Sequence, residues 1–149
     1  MFLHKRTPVE DVPSAESTIE EARTSSREIV LVVDDDRDLR QVLSELIRDE
    51  GLDVATASNG REALDLLTAG LRPMAILLDM MMPIMDGAAF RLAQLTMADV
   101  RSIPVAVMSA SGACREAIAS AFGDVEYVPK PMTGASILSF LGRCRFLPR

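Results

Sequence analysis

Four stretches of the 149-residue chain carry the side chains best suited to chemistry. They are the acidic triplet Asp34-Asp35-Asp36, the lone carboxylate Asp79 in AILLDMMMPIMDG (residues 75–87), the hydroxyl of Ser109 in VAVMSAS, and the amine of Lys130 in EYVPKPM. Brought together, carboxylates repel: two of them 4–5 Å apart cost about 3–4 kcal/mol at an effective dielectric near 20. A cluster of this kind stays ionised only beside a cation. Carboxylate oxygens completed by water in an octahedron suit Mg²⁺, and an amine adds a second, fixed positive charge.

Whether these residues meet depends on the elements that carry them. EIVLVV (28–33), DVATA (53–57), MAILLD (74–79), IPVAVMS (103–109) and VEYVP (125–129) are short apolar or β-branched runs. Their length suits central strands and is too short for buried helices. Between them lie helical patterns. In residues 38–51, Leu39, Val42, Leu43, Leu46 and Ile47 mark one apolar face, closed by Gly51. Further helices are expected over 59–70 with a stop at Gly70, from Gly87 to Met97, over 113–122, and over 134–146. Asp36, just before the first of these helices, is placed to cap it. Strands alternating with helices predict a doubly wound α/β fold, a five-stranded parallel sheet with five helices. In such sheets functional groups gather at the carboxyl ends of the strands. Asp34, Asp79, Ser109 and Lys130 all stand at those ends, so one rim collects them.

Composition bounds the rest. A net charge of −6 argues against broad, sequence-independent nucleic-acid binding. No apolar stretch approaches a membrane span, and the N-terminus lacks a signal-peptide core, so a cytoplasmic protein is expected. Cys114 and Cys144 show no metal-ligand spacing and read as reduced thiols. Residues 1–27 read as a mostly disordered extension with one short helix over 14–23, and residues 28–149 as the folded domain. His4 lies in that extension without a partner. The charges on the helices read as solvated faces.

The four motifs, in this order and at these strand ends, resemble the receiver domain of two-component response regulators. The resemblance covers residues 28 to about 146. It implies the strand order 2-1-3-4-5 and Asp79 as acceptor of a phosphoryl group from the phosphohistidine of a sensor histidine kinase or histidine phosphotransfer protein. Asp34 and Asp35 would hold Mg²⁺ with Asp79 and the backbone carbonyl of Met81. Ser109 and the N–H of Ala110 would bind phosphoryl oxygens, and Lys130 would pair with the phosphoryl or with Asp79. It further implies a switch built on Ser109 and Tyr127, a cis bond at Lys130-Pro131, and a monomer or weak dimer whose downstream target stays open. The output surface would combine the helix over 113–122, the fifth strand and the last helix. Ser109 stands where Thr is commoner. Met81 and Ser111 resemble the positions that tune dephosphorylation in that family, and an apolar Met81 would then predict a slow loss of the phosphoryl group. The chain ends with its last helix, so a stand-alone receiver or a relay intermediate is expected.

Rival readings start from the same residues. VVDDDRD also fits the Asp-x-Asp start of a haloacid-dehalogenase-like phosphatase using Asp34, which would leave Asp79 without a task. A receiver-like binding module that is never phosphorylated is the other rival. Asp34, Asp36, Asp38 and Glu45 mimic a calcium loop, but Leu39 stands where that loop needs Gly. The methionines at 80, 81, 82 and 85 are flexible filler rather than soft-metal ligands.

Overall fold

The computed structural model describes residues 14–24, 27–109, 123 and 125–145. The expected helix over 113–122, with Ala110, Ser111 and Cys114, lies outside the described residues, as does His4.

Five parallel strands form one sheet: β1 (Ile29–Val33), β2 (Asp53–Ala57), β3 (Ala75–Asp79), β4 (Val105–Ser109) and β5 (Glu126–Pro129), in the order β2-β1-β3-β4-β5. Alternation along the strands divides the core in two, because successive side chains leave opposite faces. Leu31, Val33, Ile76, Leu78, Val105 and Val107 face one layer; Val30, Val32, Leu77, Ala106 and Met108 face the other. The first layer is covered by α3 (Gly60–Thr68) and α4 (Gly87–Leu95), through Ala63, Leu67 and Phe90. The second is covered by α2 (Arg37–Asp49) and α5 (Gly134–Cys144), through Leu43, Ile47, Ile137 and Leu141. Burial on both faces is why the strands read as solid apolar runs.

The helix boundaries have local causes. Asp36, Asn59, Asp86 and Thr133 each accept a backbone N–H in the first turn of the helix they precede. Beyond the ends of α2 and α3 the chain turns through left-handed glycines, Gly51 at φ 83° and Gly70 at φ 115°.

Three expectations need correction. The helix within the extension is present, as α1 (Ala15–Thr24), but it is part of the packed domain: Ile19 is 6% exposed and joins the core cluster that α3 covers. Thr18 is buried beside it and Ala15 packs against the same cluster, so one edge of a short polar helix docks. On α2, Val42 lies outside the buried face and is 61% exposed, while Arg40 and Ser44 are buried with Leu43 and Ile47. The buried stripe still follows i, i+3, i+4, i+7, but begins on a cation because the first turn faces the acidic strand ends. Charged helix positions are therefore not all solvated: Arg40 is buried, and so is Arg91 on α4, which donates to Gln94 Oε1 at 2.8 Å. Gln94 in turn donates to the carbonyls of Val100 and Ile103, tying α4 to the loop that leads into β4.

Among the described residues, one non-glycine residue sits against its own backbone preference. Ile84, in the loop between β3 and α4, has φ 69° and is 84% exposed. A left-handed conformation costs a β-branched residue about 1–2 kcal/mol, and glycine returns part of any gain through its unfolded-state entropy. We expect Ile84→Gly to stabilise the fold by roughly 0.5–1 kcal/mol, seen as a rise in Tm of a few degrees by calorimetry. A lower Tm would show that the exposed side chain makes a stabilising contact.

Candidate functional site

The carboxyl ends of β1, β3, β4 and β5 build the site. Asp34 follows β1 directly and is completely buried. Its N–H donates to the Ala57 carbonyl at 3.1 Å, and its Oδ1 accepts the Asp36 N–H at 2.9 Å. Its own carbonyl accepts from Arg40 Nη1 at 2.8 Å. Asp79 ends β3 and is also buried, with Oδ1 3.5 Å from the Met81 N–H. Lys130 follows β5. Its Nζ lies 3.1 Å from Asp34 Oδ2 and 3.2 Å from Asp79 Oδ1, so one ammonium bridges two acids from different strands. The Lys130 N–H donates to the Ser109 carbonyl at 2.9 Å, which holds its backbone beside the end of β4. The expected cis bond is present at Lys130-Pro131.

Asp35 completes the acidic set from an exposed position. Carboxylate oxygens of Asp34, Asp35 and Asp79 lie within 4.8 Å of one another. Opposite ligands of an octahedral Mg²⁺ stand about 4.1 Å apart, twice a bond of 2.0–2.1 Å. The donor set is hard oxygen and the spacing close to that limit, so these residues fit a small divalent cation after a slight contraction.

Electrostatics follow from burial and neighbours. Burial pushes the Asp79 carboxyl above its ordinary value and the Asp34 charge adds to this, against the lowering by Lys130 and by the Met81 N–H. For Lys130, burial works against the charged form. The hydrogen bond to Asp34 and the charges of Asp34 and Asp79 outweigh it, and the ammonium is held above its usual range.

Close packing fixes the loop beside Asp79. A Cβ on Gly87 would stand 2.4 Å from the Asp79 carbonyl and 2.9 Å from Met80 Cα, so the start of α4 reaches the end of β3 only without a side chain there. Gly87 also donates its N–H to the Met80 carbonyl at 3.1 Å. Met81, next along, is 81% exposed at the rim.

The remaining expected residues are placed as follows. Ser109 is buried at the end of β4, and Tyr127 is half-buried against the α3–α4 layer. Asp36 turns toward α2, its Oδ1 accepting from the N–H groups of Asp38 at 3.0 Å and Leu39 at 3.2 Å. That role removes it from the second position of an Asp-x-Asp phosphatase pair. The sequence reading missed Arg40, whose only signal was its place one turn before Leu43 and Ser44 and two turns before Ile47 on the buried stripe.

A five-stranded parallel sheet in this order with an acidic rim at its carboxyl edge is the arrangement that the four motifs led us to expect, and comparison with known proteins gives the class. Residues 30–141 match the response regulator receiver domain, and the chain belongs to that family. It is similar to the response regulator MprA of Mycolicibacterium vanbaalenii, 37% identical over 121 residues, covering 80% of this chain and 50% of that protein. The transcriptional regulatory protein PrrA of Mycobacterium tuberculosis is 39% identical over 111 residues, covering 74% and 46%. The chain thus spans about half the length of these curated relatives. Among solved structures, the chemotaxis response regulator CheY4 of Vibrio cholerae superposes with a TM-score of 0.72 at 29% identity, covering 80% of this chain and 99% of that one. No described helix is long and apolar enough to cross a membrane.

The raised Asp79 gives a stability prediction whose sign is fixed. A carboxyl whose folded-state value is raised contributes stability that is present below its unfolded-state value and lost as pH rises through the folded one. At pH 7 without Mg²⁺ the ionised Asp79 is therefore a net cost. Asp79→Asn, which keeps an acceptor for Lys130, should melt above the wild type at pH 7, with the gap closing on acidification. A variant that melts lower at pH 7 would contradict this.

Proposed function

We propose that this chain is a receiver module in which Asp79 accepts a phosphoryl group from a phosphohistidine of a sensor histidine kinase or histidine phosphotransfer protein, in the presence of Mg²⁺. The observation that carries this is the meeting of Asp34, Asp35, Asp79 and Lys130 at one rim, with Lys130 bridging two of the acids. Asp34, Asp35, Asp79 and the Met81 carbonyl would hold the cation, which when bound offsets charge on the phosphoryl oxygens. An Asp79 oxygen forms the new O–P bond as the P–N bond to the donor imidazole breaks, and that electron pair returns to the imidazole nitrogen. Phosphoryl transfer of this kind depends on positioning and charge neutralisation. Lys130 supplies fixed positive charge toward the phosphoryl. Ser109 and the Ala110 N–H receive the remaining oxygens.

The chain catalyses its own phosphorylation and turns over no external substrate. Movement of Ser109 toward the phosphoryl lets Tyr127 turn inward. The output is a protein-interaction surface made by β5, α5 and residues 113–122, or the onward passage of the phosphoryl group. Moving such a switch from 1:99 to 99:1 takes about 5.5 kcal/mol of differential stabilisation, and a dianion gaining several charge-assisted hydrogen bonds is a plausible source of much of it.

Intact-protein mass after incubation with acetyl phosphate tests the proposal. An increment of about 80 Da is expected in the wild type, dependent on Mg²⁺ and lost in Asp79→Ala. With an exposed thioether at Met81 offering no strong hydrogen bond to an attacking water, the adduct should persist for minutes or longer. No increment, with Mg²⁺ binding verified separately, would make the chain a binding module that works unphosphorylated. An adduct lost in seconds would remove the role given to Met81.

A further inference from the structure

The acidic rim has a second cation behind it that the phosphoryl chemistry does not use. Arg40 is buried on α2, and its Nη1 reaches back six residues to the backbone carbonyl of Asp34 at 2.8 Å. The same residue is tied into its helix from both sides: its N–H donates to the Asp36 carbonyl at 3.0 Å, and its carbonyl accepts from Ser44 Oγ at 2.6 Å. Asp34 is thus held at its N–H, its carbonyl and both carboxylate oxygens, each by a different residue: Ala57, Arg40, Asp36 and Lys130. Three of these grips are backbone pairing or contacts to the carboxylate. The guanidinium grips the peptide itself, where β1 leaves the sheet and the next residue, Asp35, must be delivered to the site.

We propose that Arg40 is a positioning residue for the Mg²⁺ ligands Asp34 and Asp35, acting through the Asp34 carbonyl, an inference that rests on the function proposed above. A guanidinium suits this place because it stays charged when buried and offers several donors in a rigid plane. The Nη1 contact is to the Asp34 carbonyl, an atom outside the proposed metal ligands, and it fixes the strand end.

The sign of the effect separates positioning from charge. A cation acting only through its field repels Mg²⁺, so its neutral replacement would tighten metal binding. A positioning residue does the opposite, and partners that orient metal ligands typically cost 10–100-fold in affinity when removed. Titration calorimetry with MgCl₂ on the full chain should show Arg40→Met binding at least about tenfold more weakly than wild type. Arg40→Lys, which keeps a donor but loses the planar fork, should fall between the two. Ile19→Ala, a remote core truncation, should lower Tm without changing Mg²⁺ affinity, which separates positioning from general loss of stability.

Equal or tighter binding by Arg40→Met would overturn the proposal, as would an equal loss in Ile19→Ala. Absence of Mg²⁺ binding in the wild type itself would overturn the proposed function and this inference with it.

Discussion

The structure depends on a charge imbalance that the fold creates and cannot remove. Three carboxylates are brought within 4.8 Å at the carboxyl edge of the sheet, and Asp34 and Asp79 are buried there. Each close pair costs about 3–4 kcal/mol at an effective dielectric near 20. Lys130 is the cation that spans the two buried acids, at 3.1 and 3.2 Å. One ammonium cannot neutralise three carboxylates, and the remainder is a standing demand for a divalent cation. The demand is a cost in stability, and under the function proposed above it would also be what draws a metal ion to the site.

The rest of the molecule can be understood as the frame that keeps this imbalance from relaxing. Strands buried on both faces leave no freedom to slide, since a slip of one residue would turn every apolar side chain to the wrong layer. Asp36 caps α2 and draws the acidic turn tight, while Gly87 lets α4 close against the carbonyl of Asp79. The buried Arg91–Gln94 pair anchors the loop leading into β4, the strand that ends in Ser109. Each contact fixes a strand end or the loop beside it.

Much of this was legible in the sequence, for a physical reason. Solid apolar runs and polar strand ends are how a two-faced parallel sheet is written, so the strands and the clustering of Asp34, Asp79 and Lys130 could be read before any coordinates, while the strand order came only with the family resemblance. What could not be read were contacts decided by side-chain reach. Arg40 looked like a solvated charge and Val42 like core, because periodicity counts apolar residues and is blind to a cation with a buried carbonyl to meet. The bond from Lys130 to Asp34, beside the expected one to Asp79, depends on the ammonium falling between carboxylates whose oxygens lie within 4.8 Å of one another. Docking of α1 through Ile19 was equally hidden, since its sequence is mostly polar and short.

The central claim is that Lys130 stands in for a metal ion at an anionic site. Mg²⁺ affinity of Lys130→Met against wild type, by titration calorimetry at fixed ionic strength, tests it most directly. Nζ bonds a carboxylate oxygen of Asp34 and one of Asp79, so its removal should free ligand atoms and take away an opposing charge. The account predicts tighter Mg²⁺ binding in the variant. Unchanged or weaker binding would contradict it, and would mean that the lysine builds the metal site instead of competing for it.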